Sequence, residues 1–363
     1  MFNWLKKLVL PTSANNQKDL SDVGAVDESS PSSVPQEPSV SAPSKPTMVP
    51  SRGPGKPRTL SAELENKHLE RPLIFEPALR QYSAFRAGEP VFASEAAEKR
   101  WFRLRSRVLQ HILKQVSQSP AGEHLVLRGS LLMSLWFGQN ARRPGDIDWV
   151  VIPKHWGFAT PQAIDLIANI ENCLKGTQVE GELAFTIPDR EFASDDIWMY
   201  EKAPGKRLII PWECEDPTLN GTVQMDLVFE ETMPSEPVLI NIAPQDEPAV
   251  QLMAASAEQS LAWKILWLET DAYGQGKDLY DAVLLAENTT LSVDVLRETF
   301  LAATTSYSSY PNPIHQFDAD AILNWYIEWE DFKKEYPQIP DTEEQWKHRL
   351  IRGLDALLTH LHQ

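Results

Sequence analysis

The segment His124 to Pro153, HLVLRGSLLMSLWFGQNARRPGDIDWVVIP, constrains the fold of this chain more than any other stretch. Its apolar run through Arg128 ends at Gly129-Ser130, where glycine permits a sharp turn and serine suits the N-cap of a helix. Leu131, Leu132, Leu135 and Trp136 follow at helical spacing, Gly138 stops the helix, and Pro144-Gly145 turns the chain into Asp146-Ile-Asp-Trp-Val-Val-Ile152. The order is strand, turn, helix, loop, strand. Because strand side chains alternate, Asp146 and Asp148 share one face while Ile147, Trp149 and Val151 take the other. Two carboxylates on one patch of an apolar strand repel each other unless something positive lies between them. A divalent cation, Mg²⁺ or Mn²⁺, is the simplest answer. Oxygen-only ligands with open positions suit it, and the backbone N–H groups of Gly129-Ser130 and the helix start suit a phosphate. The plainer alternative makes both aspartates turn caps or solvation for an edge strand.

A third carboxylate lies farther on. In Gly221-Thr-Val-Gln-Met-Asp-Leu-Val-Phe229, Val223, Met225, Leu227 and Phe229 alternate with Gln224 and Asp226, and Asp226 is the only charge in the strand. Paired beside the Asp146/Asp148 strand, it would bring three carboxylates together, as two-metal nucleotidyl transfer requires with ions about 3.5–4 Å apart. The pattern Gly129-Ser130, Asp146-x-Asp148 and a later strand Asp226 resembles the DNA polymerase β-like nucleotidyltransferases. Two later elements narrow the resemblance: Leu261-Ala-Trp-Lys-Ile-Leu266, and Lys277-Asp-Leu-Tyr-Asp-Ala-Val-Leu284 after the Gly274-Gln-Gly276 loop. Together they resemble the AbiEii/AbiGii nucleotidyltransferase toxins of type IV toxin–antitoxin and phage-abortive systems, over about Leu125 to Leu285.

The resemblance implies an α/β (α+β) fold, a polymerase β-like mixed sheet with a C-terminal helical domain. It implies a Mg²⁺- or Mn²⁺-dependent enzyme moving a nucleotidyl group from a nucleoside triphosphate to an acceptor, with an RNA such as a tRNA 3′ end first in line. Growth inhibition and a cognate antitoxin partner follow from the same resemblance. It implies nucleotide-handling roles for Ser130, Asp146, Asp148, Lys264 and Asp278; taken with the residues themselves, catalytic roles are expected of Asp146, Asp148, Asp226, Lys264 and Asp278, metal ligation of Asp146, Asp148 and Asp226, and nucleotide binding of Gly129, Ser130, Arg143 and Lys264. Two other functions stay open: nucleotidylation of a protein or small molecule by the same fold, and a nucleotide-binding regulator without turnover.

From the residues alone, Lys264 lies in an apolar helix among Leu261, Trp263, Ile265, Trp267 and Leu268, so it must snorkel or find an anion. A triphosphate would serve. A solvated helix face is the alternative. Asp278 and Asp281 fall in a first helical turn, where the helix dipole favours carboxylates, and capping suffices for Asp281. The Ser94–Gln118 helix has an apolar stripe of Trp101, Leu104, Val108, Ile112 and Val116, and its other face carries Lys99, Arg100, Arg103, Arg105, Arg107 and Lys114. That face, with Arg142 and Arg143 beside the aspartates, is the candidate RNA or phosphate contact, weighed against a face that only balances acidic neighbours.

The formal charge of −17 over 363 residues argues against broad non-specific nucleic-acid binding, which rests on Lys and Arg neutralising phosphates. Cys173 and Cys214 are too few for a disulfide framework, no zinc spacing is present, and a cytoplasmic location is expected. Met1–Leu10 is too short to span a bilayer and lacks a cleavage pattern, and no transmembrane segment is expected elsewhere. Residues 1–58 form a Pro/Ser-rich tail expected to be disordered, with no aromatic residue between Trp4 and Phe75. The expected domains continue as a helical extension (59–120), the nucleotidyltransferase domain (121–250) and a helical domain (251–363). Within them, 161–174 is expected to be a helix, 179–187 one strand, 195–200 and 206–211 further strands, and 234–248 a connector. Helices are expected over 253–269, 277–286, 293–302, 319–336 and 342–361.

Overall fold

The central sheet forms where the chain alternates or runs apolar. The structure is a computed structural model describing residues 57–63, 69–79, 84–199, 203–242, 249–271, 274–307 and 317–361. The Pro/Ser-rich segment and Met1–Leu10 lie outside these residues.

In chain order, α1 (Arg58–Glu63) precedes the antiparallel pair β1 (Leu73–Phe75) and β2 (Phe85–Ala87), and α2 spans Glu95–Gln118. Then come β3 (Leu125–Arg128), α3 (Ser130–Phe137), β4 (Asp146–Val151), α4 (Pro161–Leu174), and the two-residue strands β5 (Gln178–Val179) and β6 (Phe185–Thr186). The strands β7 (Ala193–Met199), β8 (Ala203–Trp212), β9 (Gly221–Val228), β10 (Val238–Ile242) and β11 (Val250–Ala254) follow. The rest comprises α5 (Ala257–Thr270), β12 (Gly274–Gln275), α6 (Gly276–Ala286), α7 (Val293–Tyr307), α8 (Ala319–Leu323), β13 (Ile327–Glu328), α9 (Trp329–Glu335), α10 (Glu343–Gly353) and α11 (Asp355–His360).

Seven strands make one mixed sheet in the order β10-β11-β3-β4-β9-β8-β7. β3 runs antiparallel to β4, β4 parallel to β9, and β9 antiparallel to β8. The fold is therefore the mixed α/β architecture expected, with helices taking over after β11. The apolar stripe of α2 packs into the same core as β3, β4 and β9: Trp101, Leu104, Val108, Ile112 and Val116 are fully buried beside Val126, Ile147, Trp149 and Met225. Ser94 caps that helix, its Oγ accepting from the Ala97 N–H at 3.3 Å. Among the described residues, no helix is long and apolar enough to cross a membrane.

Several expected elements take another form. Residues 179–187 are a small hairpin, β5–β6, and not one strand. The expected connector contains β10, and the helix placed from Met253 starts at Ala257, because Val250, Leu252 and Ala254 bury alternate side chains and extend the sheet while Ser256 caps the helix. The sheet thus runs past the boundary expected at residue 250. The helix expected over 319–336 is interrupted: Asn324 ends α8, the Trp325 indole N–H donates to Glu269 at 2.8 Å, and β13 pairs in parallel with β12. Gly274 permits that approach, since a Cβ there would lie 2.6 Å from the Tyr326 carbonyl oxygen. The helix expected over 342–361 divides at Leu354 into α10 and α11. The extension expected to be helical contains the β1/β2 pair.

Ile147 sits between the two aspartates on the buried side of β4, with none of its surface exposed. Ile147→Ala is expected to lower the unfolding free energy by about 2–5 kcal/mol in denaturant titration. Ile164→Ala, at a position 58% exposed on α4, should stay within about 0.5 kcal/mol of the parent.

Candidate active site

The register of the central strands decides what the aspartates meet. Asp148 lies opposite Arg128 on β3 and opposite Asp226 on β9, and Asp226 lies opposite Arg207 on β8. Directly opposed residues project to the same face, so Arg128, Asp148, Asp226 and Arg207 form one row across four strands, with Asp146 two residues away on that face.

The two ends of this row differ. Arg207 grips Asp226 with two hydrogen bonds, Nε to Oδ1 and Nη2 to Oδ2, both 2.8 Å, and Gln224 Nε2 donates to Oδ2 at 3.1 Å. Arg128 instead reaches Glu231, Nη1 to Oε2 at 3.2 Å, and its guanidinium lies over the faces of Trp263 and Trp267 at 5.4 and 5.2 Å. The Asp148 carboxylate has no hydrogen-bond or ion-pair partner among the described residues. Burial and the neighbouring charges of Asp146 and Asp226 push its carboxyl up to about 7. On Asp146 burial also works upward, but the charges of Lys277 and Arg142 and a hydrogen bond from Ser130 outweigh it and hold that carboxyl at about 2. Burial likewise raises Asp226 against the pull of Arg207.

Gly129 and Ser130 build the turn above this pair. Gly129, at φ 81°, is the N-cap of α3, and a Cβ on it would sit 2.3 Å from Asp148 Oδ2. Ser130 is not the N-cap expected from the sequence but the first helical residue, and its Oγ donates to Asp146 Oδ1 at 2.8 Å. Both glycine and serine thus define the position of an aspartate.

Lys264 finds its anions within the chain. Its Nζ lies 2.6 Å from Asp278 and 3.1 Å from Asp281, all three buried, and the two carboxylates outweigh burial to raise its pKa. Asp281, for which capping had sufficed, is fully buried and also takes Arg142 through both carboxylate oxygens, at 3.0–3.2 Å. Of these four groups, Lys264 and Arg142 line the cleft that opens over Asp146 and Asp148. Arg143 does not line it: Arg143 pairs with Glu98 at 2.6 Å and covers Phe102. The basic face of α2 is largely matched by acids or carbonyls, with Lys99 on Glu95, Arg100 on Asp216, Arg105 on Glu89, and Arg107 on the carbonyls of Glu180 and Leu183.

Other residues of the cleft went unnoticed in the sequence. Glu76 meets Arg207 at 3.1 Å, Arg86 takes Glu335 through two hydrogen bonds at 2.8 and 2.9 Å, and Glu89 holds Arg105. Lys277 lines the cleft, and among the described residues its ammonium has no hydrogen-bond or ion-pair partner. Arg128 and Arg207 carried a signal, a charge inside an apolar strand, but only the register says which aspartate each faces. Nothing in the spacing links Glu76 or Arg86 to the cleft.

A divalent cation suits Asp146 and Asp148 on the chemistry of the donors: carboxylate oxygens alone, one of them unpartnered, with mutual repulsion relieved by positive charge. No group of three or more His, Cys, Asp or Glu side chains stands ready to hold a metal among the described residues. The pair would therefore serve as a two-carboxylate anchor, with water and substrate supplying the other oxygens.

A mixed sheet with an Asp-x-Asp strand beneath a Gly-Ser turn and a helix N-terminus defines a protein of the nucleotidyltransferase class. The chain belongs to the AbiEii family, since the model of the nucleotidyl transferase AbiEii toxin, Type IV TA system, matches residues 111–358. Two solved structures from Helicobacter pylori are similar to it over 74% of this chain at 16% identity: JHP933, with a TM-score of 0.41 and 94% of its length covered, and a protein provisionally named a nucleotidyltransferase, with 0.40 and 97%. No curated protein matches the sequence.

Lys264→Met would leave two buried carboxylates short of a cation and is expected to cost about 3–5 kcal/mol of unfolding free energy, whereas Arg58→Ala, in an ion pair whose side chains are 58% and 73% exposed, should cost less than about 1 kcal/mol. A second expectation concerns pH. The Asp148 carboxyl titrates near 7 when folded, above the 3.8 of an ordinary aspartate, so the folded state binds its proton more tightly and loses stability as pH rises from about 4 through about 7. Asp148→Asn should therefore melt higher than the parent at about pH 8, by a margin that closes by about pH 4.

Proposed function

We propose that the protein transfers a nucleotidyl group from a nucleoside triphosphate to an RNA acceptor, a tRNA 3′ end being the leading candidate, and so acts as a metal-dependent, toxin-like growth inhibitor countered by an antitoxin. The observation that carries this reading is the unpartnered Asp148 beside Asp146, under a turn whose glycine leaves no room for a side chain.

Asp146 and Asp148 would hold Mg²⁺ or Mn²⁺. When bound, the ion stabilises negative charge on the phosphate oxygens and the departing pyrophosphate. Asp226 keeps one free lone pair, on Oδ1, while bound to Arg207 and Gln224 and can complete the ligand set, although the adjacent guanidinium weakens it as an anionic ligand. Ser130 fixes Asp146, and the N-terminus of α3 presents backbone N–H groups to a phosphate. In the transfer, an acceptor hydroxyl oxygen bonds to the α-phosphorus as the bond from that phosphorus to the α–β bridging oxygen breaks. Pyrophosphate carries away the electron pair, and the hydroxyl proton passes to a carboxylate. Asp226, which burial raises above the ordinary range, is suited to accept it. Lys277 is the cation placed for the triphosphate. Lys264 and Asp278 act from behind, since the charge of Lys264 is spent on Asp278 and Asp281.

The test is transfer of label from each α-³²P nucleoside triphosphate to total RNA with Mg²⁺. Label that depends on Asp148 and falls at least tenfold in Lys277→Met is the expected result. Label on protein instead of RNA would move the acceptor to the protein class, and triphosphate binding with no labelled product would overturn the catalytic reading. Added Mg²⁺ should also raise the melting temperature of the parent at about pH 8 but not that of Asp148→Asn.

A further inference from the structure

Arg128 is a buried charge that the proposed transfer leaves unused. It is 2% exposed, occupies the last position of β3 immediately before the Gly129 turn, and lines the cleft over the aspartates. Its guanidinium is held on two sides: Glu231 takes Nη1 at 3.2 Å, and Trp263 and Trp267, whose rings are 6.3 Å apart and nearly parallel at 6°, present their faces to it. Nη2 is buried with no hydrogen-bond partner. A buried guanidinium N–H without an acceptor is costly, and the chain has an acceptor close by in register, Asp148, that Arg128 does not pair with. The opposite end of the same row shows the alternative, where Arg207 closes fully on Asp226.

The side chain is fixed, charged, at the edge of a cleft, and short of one acceptor. That is how a preorganised anion-binding arginine is built: its planar fork loses little freedom when the ligand arrives, and the indole faces hold the cation out of water. The place also fits, because the N-terminus of α3 begins two residues later and its backbone N–H groups attract the same kind of ligand.

We propose that Arg128 binds a phosphate group of the nucleotide, donating Nη2–H to a non-bridging phosphate oxygen, with Glu231 and the Trp263/Trp267 pair as its positioning residues. This rests on the reading of the cleft as a nucleoside triphosphate site. It gives the strand-end arginine a role that neither the Gly-Ser turn nor the carboxylates supply, that of holding the phosphate beside the carboxylates instead of neutralising them.

The experiment is calorimetric titration of the full-length protein, in Mg²⁺, with inorganic tripolyphosphate and with ATP, GTP, CTP and UTP. The variants are Arg128→Met, Arg128→Lys and Glu231→Gln, with the ligand-free melting temperature of each recorded. Arg128→Met is expected to weaken tripolyphosphate and the preferred triphosphate alike, by roughly 10- to 100-fold, with Arg128→Lys in between. Glu231→Gln frees the guanidinium from its counter-charge and should tighten tripolyphosphate severalfold, a gain that a purely structural arginine would not produce. Folded Arg128→Met with parental affinity overturns the proposal and leaves the nucleotidyl-transfer reading standing. Should Arg128→Met fail to fold, unchanged or weaker tripolyphosphate binding by Glu231→Gln overturns it in the same way. If the parent binds none of the four triphosphates and no tripolyphosphate, both readings fall together.

Discussion

The row of charges across β3, β4, β9 and β8 is the constraint on which the rest of the cleft depends. Two carboxylates, Asp148 and Asp226, are set side by side by the parallel pairing of β4 with β9, on strands whose other faces are wholly apolar. Burial disfavours charge on both, and the charge of Asp226 makes Asp148 harder to ionise. The structure resolves this unequally. Arg207 neutralises Asp226 at close range, whereas Arg128 is drawn off by Glu231 and the two indoles, leaving Asp148 exposed to the repulsion. A site with one satisfied and one unsatisfied acid is ready for an external cation. A fully paired row would be a structural ion cluster and nothing more.

Behind this row lies a second cluster of the opposite character. Lys264, Asp278, Asp281 and Arg142 balance two positive against two negative charges in contact, all buried or nearly so. Such a cluster stores a large penalty for losing any one member but gives little binding energy to a ligand, because each charge already has a partner. The Lys-Asp-Leu-Tyr-Asp element therefore contributes in two ways from one helical turn. Asp278 and Asp281 face inward and lock α5 to α6, while Lys277, one residue earlier, lines the cleft.

The sequence made the floor of the site legible because that floor is local. Strand, Gly-Ser turn, helix and Asp-x-Asp strand follow one another within thirty residues, and period-two alternation is enough to put both acids on one face. The α2 stripe and α4 were equally plain. What escaped was set by pairing across distance. Met253 and Ala254 look like the start of a helix until β3 is available beside them, and 319–336 carries a helical stripe that Asn324 and the β12–β13 pairing interrupt. The surroundings of Lys264 were hidden for the same reason: in a one-dimensional reading its nearest conceivable anion is a ligand, whereas in three dimensions Asp278 and Asp281 of the next helix lie against it.

The wall above the floor shows most clearly where a local reading stops. Arg71, Glu76, Arg86 and Glu89 line the cleft, yet they precede residue 111, where the family match begins. They are not loosely laid over it. Glu76 is 7% exposed and contacts Arg207 directly, and Arg86 joins Glu76 to Glu335 of α9, so one chain of alternating charge runs from Asp226 through Arg207, Glu76 and Arg86 to Glu335. Burial works to raise Glu76, but the two guanidiniums hold its carboxyl below the ordinary range, so it stays charged and keeps Arg207 engaged from the side opposite Asp226. The electrostatic state of a carboxylate on β9 is thus set in part by a segment about 150 residues earlier in the chain. Sheet, N-terminal segment and α9 consequently form one electrostatic unit around the cleft, and a change in any of them is felt at the aspartates.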